Sequence, residues 1–513
     1  MNEKKLSLSD SQRACSGSST QQEPSPSLLP TIQQSRKTLA WCLALTPGIL
    51  LYGYDLVIVG NVSSMPEFRK DFGRRLHNKL IIPALWLGLW NIANPIGGIL
   101  GALSAGSIQD LFGRRRSLTL STIISALGVA VAYVSDLPDD INTRRSVFFL
   151  AKLIQGFAVN MLMCTTQTYM SEVLPPLLRG PVLAFFPIFT LLGQLIGSIV
   201  VYVSLDKPEA EGYKNCFISE WAVCLLPLLV SFCMPESPVY LIRRNRVEDA
   251  RESQRRLACS SQDAEITLDN LIQSIKLETQ SRAPSTATYL ACLTTPHHHR
   301  TLIVLFANLL PSIFGVTLLS KGSYFMQVVG MSAHNSLLCL QVGLGLGLLA
   351  NVCSMYTLSR FGRVTLTLVG LAGCGVLWTG MGVAGCFEGT VVIWYTQTTF
   401  LLVIILAGMS TWPASYAIAA ETSSLHLRAK SQGLGWLVNC LLNGVLGLVL
   451  PYIFNEDEGA LKGKTGFVYT GFCVIGLVVT WLFVPELKDL SVQEVDGLFE
   501  SRGRRDGGGD GET

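Results

Sequence analysis

The chain has 513 residues, 49% of them hydrophobic and only 15% charged, with a mean hydropathy of +0.41. A water-solvated domain carries roughly 25% charged residues, so this composition excludes a soluble surface over most of the length. The formal net charge of +3 offers nothing to nucleic acid.

Residues 1–38 are Ser- and Gln-rich and contain Pro24, Pro26 and Pro30. They bury too little apolar surface to fold and are expected to be a disordered tail without a cleavable signal peptide. A helix needs about 20 apolar residues to cross a bilayer. Windows near that length run at 39–62, 81–107, 118–134, 147–170, 181–203 and 219–234, and again at 301–329, 337–358, 364–386, 391–419, 431–454 and 467–484. The expected fold is an all-α polytopic membrane protein of twelve transmembrane helices. Its expected parts are a six-helix bundle over 39–234, a cytoplasmic linker with short helices over 235–300, a second bundle over 301–484 and a tail over 485–513.

Lys and Arg set the orientation. With both termini cytoplasmic, the inside segments hold 26 and the outside loops 11, leaving Lys152 and Lys321 within spans. The first outside loop (Arg69, Lys70, Arg74, Arg75, Lys79) runs against that trend. The sequon Asn61-Val62-Ser63 lies too close to a span to read as glycosylated. The 14 cysteines form no CxxC and read as small buried hydrophobes, and His297–His299 reads as a basic flank rather than a metal site. No phosphate loop or nucleophile motif occurs, so an enzyme is not expected.

The halves repeat in register. Glu172 and Arg179 recur as Glu421 and Arg428, and Gly113-Arg114 recurs as Gly362-Arg363, each 249 residues on. Pro235-Glu236 recurs as Pro485-Glu486 at 250. Two duplicated six-span units fit this pattern.

Gly106-Ser-Ile-Gln-Asp110-Leu-Phe-Gly113-Arg114-Arg115-Arg116 resembles the loop between spans 2 and 3 of the major facilitator superfamily. Tyr169-Met-Ser171-Glu172, Arg179-Gly180, Pro235-Glu236-Ser237-Pro238 and Pro485-Glu486 resemble its sugar porter branch. Thr166 to Glu172, Gly193-Gln194-Leu and Ser323-Tyr324-Phe325 look most like fungal α-glucoside permeases. Asp110, Arg114, Arg115, Glu172, Arg179 and Glu236 fall at cytoplasmic span ends. Charge-assisted hydrogen bonds there would latch the cytoplasmic side or, alternatively, only anchor helix ends. Arg363, Glu421, Arg428 and Glu486 repeat the set, but Ser359 replaces the Asp110 equivalent, so a weaker second latch is expected. Gly98, Gly101 and Gly106 read as packing residues.

Asp55 and Lys152 lie at membrane depth, where charges are costly and functional by default. The resemblance implies that Asp55 takes a proton with Lys152 as counter-charge; the alternative is a static ion pair. Lys stands where proton-coupled relatives carry Arg, and Tyr52 where the permeases carry Glu, which weakens the symport expectation. The amides that sugar porters present are replaced by Pro187 and by Leu309-Leu310-Pro311-Ser312. Asn439, Trp436, Tyr416, Trp412 and Tyr324 remain as candidate substrate contacts. Lys321 is an added cation that would meet a substrate carboxylate, snorkel to an interface or pair with a neighbour.

The resemblance implies alternating access by a monomer in the plasma membrane, carrying a sugar, glycoside or similar solute. A small-molecule substrate and the bilayer are the partners; no cofactor beyond a proton gradient is implied. The other expectations are an exporter of a secondary metabolite or organic acid, and a non-transporting nutrient sensor.

Overall fold

The computed structural model describes residues 28–499 except 63–64, 77–78, 205–210, 281–288, 294–296, 332, 388, 425–426, 455–460, 489, 491–493 and 496. The Asn61 sequon and the side chain of Tyr324 lie outside the described residues.

The first bundle comprises span 1 (Arg36–Ala44 and Thr46–Val62), span 2 (Ala84–Phe112), span 3 (Arg114–Tyr133), span 4 (Ile141–Val173), span 5 (Pro176–Leu183 and Phe185–Ser204) and span 6 (Glu211–Cys233). The second comprises span 7 (His298–Phe314, Val316–Leu319 and Gly322–Val329), span 8 (Ala333–Arg360), span 9 (Arg363–Ala384), span 10 (Thr390–Met409 and Thr411–Thr422), span 11 (Arg428–Phe454) and span 12 (Thr465–Phe483). Several helices outrun their apolar windows because their polar ends continue the backbone ladder beyond the hydrocarbon. Helices Leu28–Gln34 and Arg36–Ala44 also correct the expected tail: ordered structure begins before residue 38, where the buried Thr38 hydroxyl donates to Leu257 O at 3.0 Å. The strands among the described residues form one short hairpin, Arg74–Leu76 with Lys79–Ile81.

Lipid is the solvent of the outer surface. Val391 is 81% exposed, and Val376 and Trp481 are each 73% exposed, on helices long and apolar enough to cross a bilayer. A water-soluble surface does not present such a belt.

Spans 1, 5, 7 and 10 are interrupted, and in spans 7 and 10 a neighbour satisfies a freed carbonyl, as membrane depth demands. Gly315 takes φ +111°, a left-handed conformation, and ends the first segment of span 7. Trp378 Nε1 then donates to Phe314 O at 2.9 Å. In span 10, Pro413 has no N–H for Met409 O; Thr357 Oγ1 donates to it instead at 2.8 Å.

In the first bundle span 4 packs closely on spans 2 and 3, and span 1 on span 5; in the second, span 9 packs closely on spans 12 and 10. The bundles meet along two seams, span 2 on span 11 and span 5 on span 8. Gly98 and Gly106 face the first seam and Gly101 packs on the Phe157 backbone, as packing glycines should.

The linker forms helices Pro238–Arg243, Val247–Leu257, Ser261–Gln280 and Tyr289–Leu293. The first three share a small core of Val239, Leu241, Ile242, Ala250, Leu268 and Ile275. The tail packs Val495 and Phe499 against the foot of span 7, where Arg300 donates to Val495 O at 3.2 Å. Linker and tail thus lie on one side of the molecule, here termed the linker face.

Candidate functional site

Three features stand out in the membrane-embedded part and at its linker face. The first is a charge cluster inside the first bundle. Lys152 Nζ donates to Asp55 Oδ1 at 2.8 Å, both side chains being all but inaccessible. Asn94 of span 2 donates to the other Asp55 oxygen. Tyr54, next to Asp55, fixes span 1 against span 6 by donating to Cys216 O at 3.0 Å. One turn beyond Lys152, Gln155 Nε2 donates to Glu220 Oε1 at 2.7 Å and accepts from Ser125 Oγ at 3.2 Å. Glu220 is fully buried and acts electrostatically on Lys152 and Asp55.

Glu220 was not among the expected site residues. Its helix begins at Glu211, placing it mid-span, whereas the apolar window starts at 219 because the preceding turns are polar. Asn94 and Gln155 gave no sequence signal either, since an uncharged amide in an apolar run does not show which neighbour it will meet.

The second feature is the closed linker face. Arg114 Nη2 meets Glu172 Oε1 at 2.7 Å, and Arg363 Nη2 meets Glu421 Oε1 at 3.0 Å, inside their own bundles. Glu236 accepts from the backbone N–H of Arg114 at 2.8 Å and of Arg115 at 3.1 Å, capping span 3. Glu486 does the same for span 9 through Arg363 at 2.9 Å and Val364 at 3.1 Å. Carboxylates at helix N-termini are favourable there. Arg115 donates to Ser231 O at 3.1 Å, and buried Arg179 to Leu174 O at 3.4 Å.

The contacts that cross between bundles were largely invisible beforehand. Asp110 pairs with Lys430 of span 11 at 3.1 Å, rather than within the Arg114 cage. Arg428 donates to Ser171 O at 3.0 Å. Deeper along span 11, Trp436 Nε1 donates to Gln167 Oε1 at 2.7 Å and Cys440 Sγ lies 3.1 Å from Asn160 Oδ1. Four side chains of one span therefore close the seam from the linker face to mid-depth. Ser359, where the repeat lost its acid, turns back within its own helix to donate to Tyr356 O at 2.7 Å.

The third feature is a pocket between spans 5, 7, 8 and 10. Gln194, Gln397, Ser320, Ser336 and Trp412 line it among Leu191, Leu319, Leu340, Phe400 and Ile404. Of the expected substrate contacts, Trp412 is in its wall. Tyr416 stacks on Phe186 at 5.0 Å across the seam, and Trp436 lies edge-on to Tyr52 at 5.7 Å. Asn439 spends both polar ends on neighbours: Nδ2 donates to Asn308 O at 2.7 Å and Oδ1 accepts from Asn443 at 2.8 Å. Asn443 in turn accepts from Thr317 at 2.7 Å. Lys321, between Ser320 and Gly322 of the pocket wall, donates to Gly447 O at 3.0 Å. No carboxylate pairs with it among the described residues.

Broken spans, paired charges at depth and duplicated cages are the anatomy of a secondary transporter. Residues 40–499 match the family model for sugar (and other) transporters, and the chain belongs to that family, within the major facilitator superfamily. It is similar to the MFS transporter fmqE of Aspergillus fumigatus, at 29% identity over 88% of this chain and 83% of that one. It is also similar to the maltose permease MAL31 of Saccharomyces cerevisiae, at 24% identity over 92% and 77%. Among solved structures, the proton:xylose symporter XylE bound to 6-bromo-6-deoxy-D-glucose superposes with a TM-score of 0.80 at 20% identity, covering 91% of this chain and 100% of that one. The chain is a multi-pass membrane transporter of the sugar porter type and not an enzyme.

Proposed function

We propose that this transporter is a proton-coupled carrier of a sugar or glycoside, working as a monomer by alternating access in the plasma membrane, with the linker face cytoplasmic. The observation that carries the reading is the buried Asp55–Lys152 pair with Glu220 beside it. Lys152 pairs with Asp55, and Glu220 is held one turn away by Gln155, so a proton on Asp55 discharges the partner of Lys152 and leaves Glu220 as the nearby acid. Such an exchange has two discrete arrangements inside one bundle, which is what a coupled rocking motion requires.

The solute sits in the pocket. Side-chain amides both donate and accept, so Gln194 and Gln397 match vicinal hydroxyls, and Trp412 supplies an apolar face for a ring. One similar protein is a maltose permease, which supports this substrate class. In the structure the linker face is shut by Asp110–Lys430 and Arg428–Ser171; these contacts break when the cavity opens inward.

The test is uptake of labelled sugars, glycosides and organic acids by the full chain in proteoliposomes, with and without a pH gradient. Asp55→Asn is expected to abolish gradient-driven accumulation while leaving downhill exchange largely intact. Accumulation that survives this change removes Asp55 as the coupling group.

One observation favours a second reading, export of an organic acid or other secondary metabolite: Lys321 has no acid partner among the described residues and the pocket wall is mostly apolar. Loss of organic-acid transport in Lys321→Met, with sugars never carried, decides for it.

A further inference from the structure

At the linker face the two bundles are also joined by a side chain that belongs to neither. Tyr289 opens the last linker helix, Tyr289–Leu293, which packs against spans 7 and 11. Thr301 Oγ1 of span 7 fastens that helix by donating to Cys292 O at 2.6 Å. The Tyr289 ring lies 4.8 Å from Lys430 Nζ, the same cation that pairs with Asp110. Its hydroxyl reaches across the seam and donates to Leu103 O on span 2.

The space for that hydroxyl is made by Gly106, one turn further along span 2. A Cβ at Gly106 would lie 2.7 Å from the Tyr289 oxygen and 3.2 Å from both Ala429 O and Lys430 Cα. A larger residue there either expels the tyrosine or parts spans 2 and 11. The glycine that opens the repeated signature loop thus has a partner in the linker, far along the chain.

We propose that Tyr289 is a gating residue of the transport cycle, a bolt through which the linker itself holds the linker face closed. Opening that face separates span 2 from span 11. The separation must break the Tyr289–Leu103 hydrogen bond in the same movement that breaks Asp110–Lys430, while the ring and Lys430 stay together on the span-11 side. The bolt adds a neutral hydrogen bond across the seam to the ion pair, and the cation–π contact with Lys430 holds the ring in place to make it. It also links the position of the linker helix to the open and closed populations. The inference rests on the alternating-access reading above.

The experiment uses the full chain in vesicles with the linker face outward and a membrane-impermeant maleimide, followed by mass spectrometry of individual cysteines. Cys440 is the reporter, being buried on span 11 at the seam. Cys374, buried inside the second bundle, is the control for loosened folding. Tyr289→Phe keeps the ring and removes the hydroxyl; it is expected to raise Cys440 alkylation about fivefold, the scale of one lost hydrogen bond, with Cys374 unchanged. Gly106→Ala is expected to raise it as well, and combining the two changes should give less than the product of their effects, since both act on one contact.

If Asp110→Asn raises Cys440 labelling and Tyr289→Phe does not, the bolt is refuted and the rocking motion stands. If neither change moves Cys440, alternating access itself fails. A parallel rise at Cys374 in Tyr289→Phe overturns the gating role in favour of a folding one.

Discussion

The two halves of the chain build one cage twice and surround it with different chemistry. Arg114 reaches Glu172 with one guanidinium nitrogen and Gln109 O with the other, at 2.7 and 3.2 Å. Arg363 repeats this with Glu421 and Leu358 O at 3.0 and 3.3 Å. In the first half, Ser237 Oγ also donates to the second Glu172 oxygen at 2.5 Å. In the second, the corresponding oxygen of Glu421 is buried without a hydrogen-bond partner among the described residues. At membrane depth the halves diverge completely. Shifting Asp55, Lys152 and Glu220 by the 249-residue offset lands on Val304, Leu401 and Tyr469. The second half carries amides there instead: Asn308, Asn439 and Asn443 in one chain of hydrogen bonds, and Gln397 in the pocket wall. The hardware at the span ends stayed duplicated because both bundles need rigid feet. The interiors were free to specialise, one for charge and one for neutral polar groups.

Substitutions can break that contrast in order of size. Lys152→Met strips the cation from two buried carboxylates; breaking a buried pair costs about 3–5 kcal/mol, to be read as a lowered thermal midpoint in detergent. Leu401→Met, at the matching place, stays within about 1.5 kcal/mol because the swap conserves volume. Equal midpoints for the two would dissolve the asymmetry. A smaller step, Asn439→Ala, frees Asn308 O and Asn443 together and is expected to cost about 1–3 kcal/mol, the loss of one to two hydrogen bonds, read as a lowered thermal midpoint in detergent. An unmoved midpoint there would mean that the amide chain does not hold the second bundle. Smallest is Ser237→Ala, which removes the bond the second cage lacks and destabilises by about 1 kcal/mol. A denaturation midpoint that does not move would mean the two cages are already equivalent.

Much of this was legible before any coordinates. Twelve apolar windows, the 249-residue register and the span-end motifs all survive in the fold. So does the Asp55–Lys152 pair, because two opposite charges in separate apolar runs have few other places to go. Glu220 escaped notice because it stands at the very start of the 219–234 window, where an acid reads as a span end, although the helix begins at Glu211 and carries it to mid-span. Lys430 escaped because it sits at a span end, where a lysine is ordinary, and its pairing with Asp110 exists only once the bundles close. Asn439 illustrates the converse: an amide on an apolar helix reads alike whether it faces a solute or, as here, two neighbours on spans 7 and 11.

The amino-acid sequence alone determined the solvent, the number of crossings, the duplication and which residues stand at the ends of spans. Those follow from local hydropathy and from short motifs, which act along the chain. The tertiary structure decided which groups are joined: Glu220 to Gln155, Lys430 to Asp110, Tyr289 to Leu103. Such partnerships depend on how helices rotate and cross, and a polar side chain carries no mark of the partner its helix will bring to it.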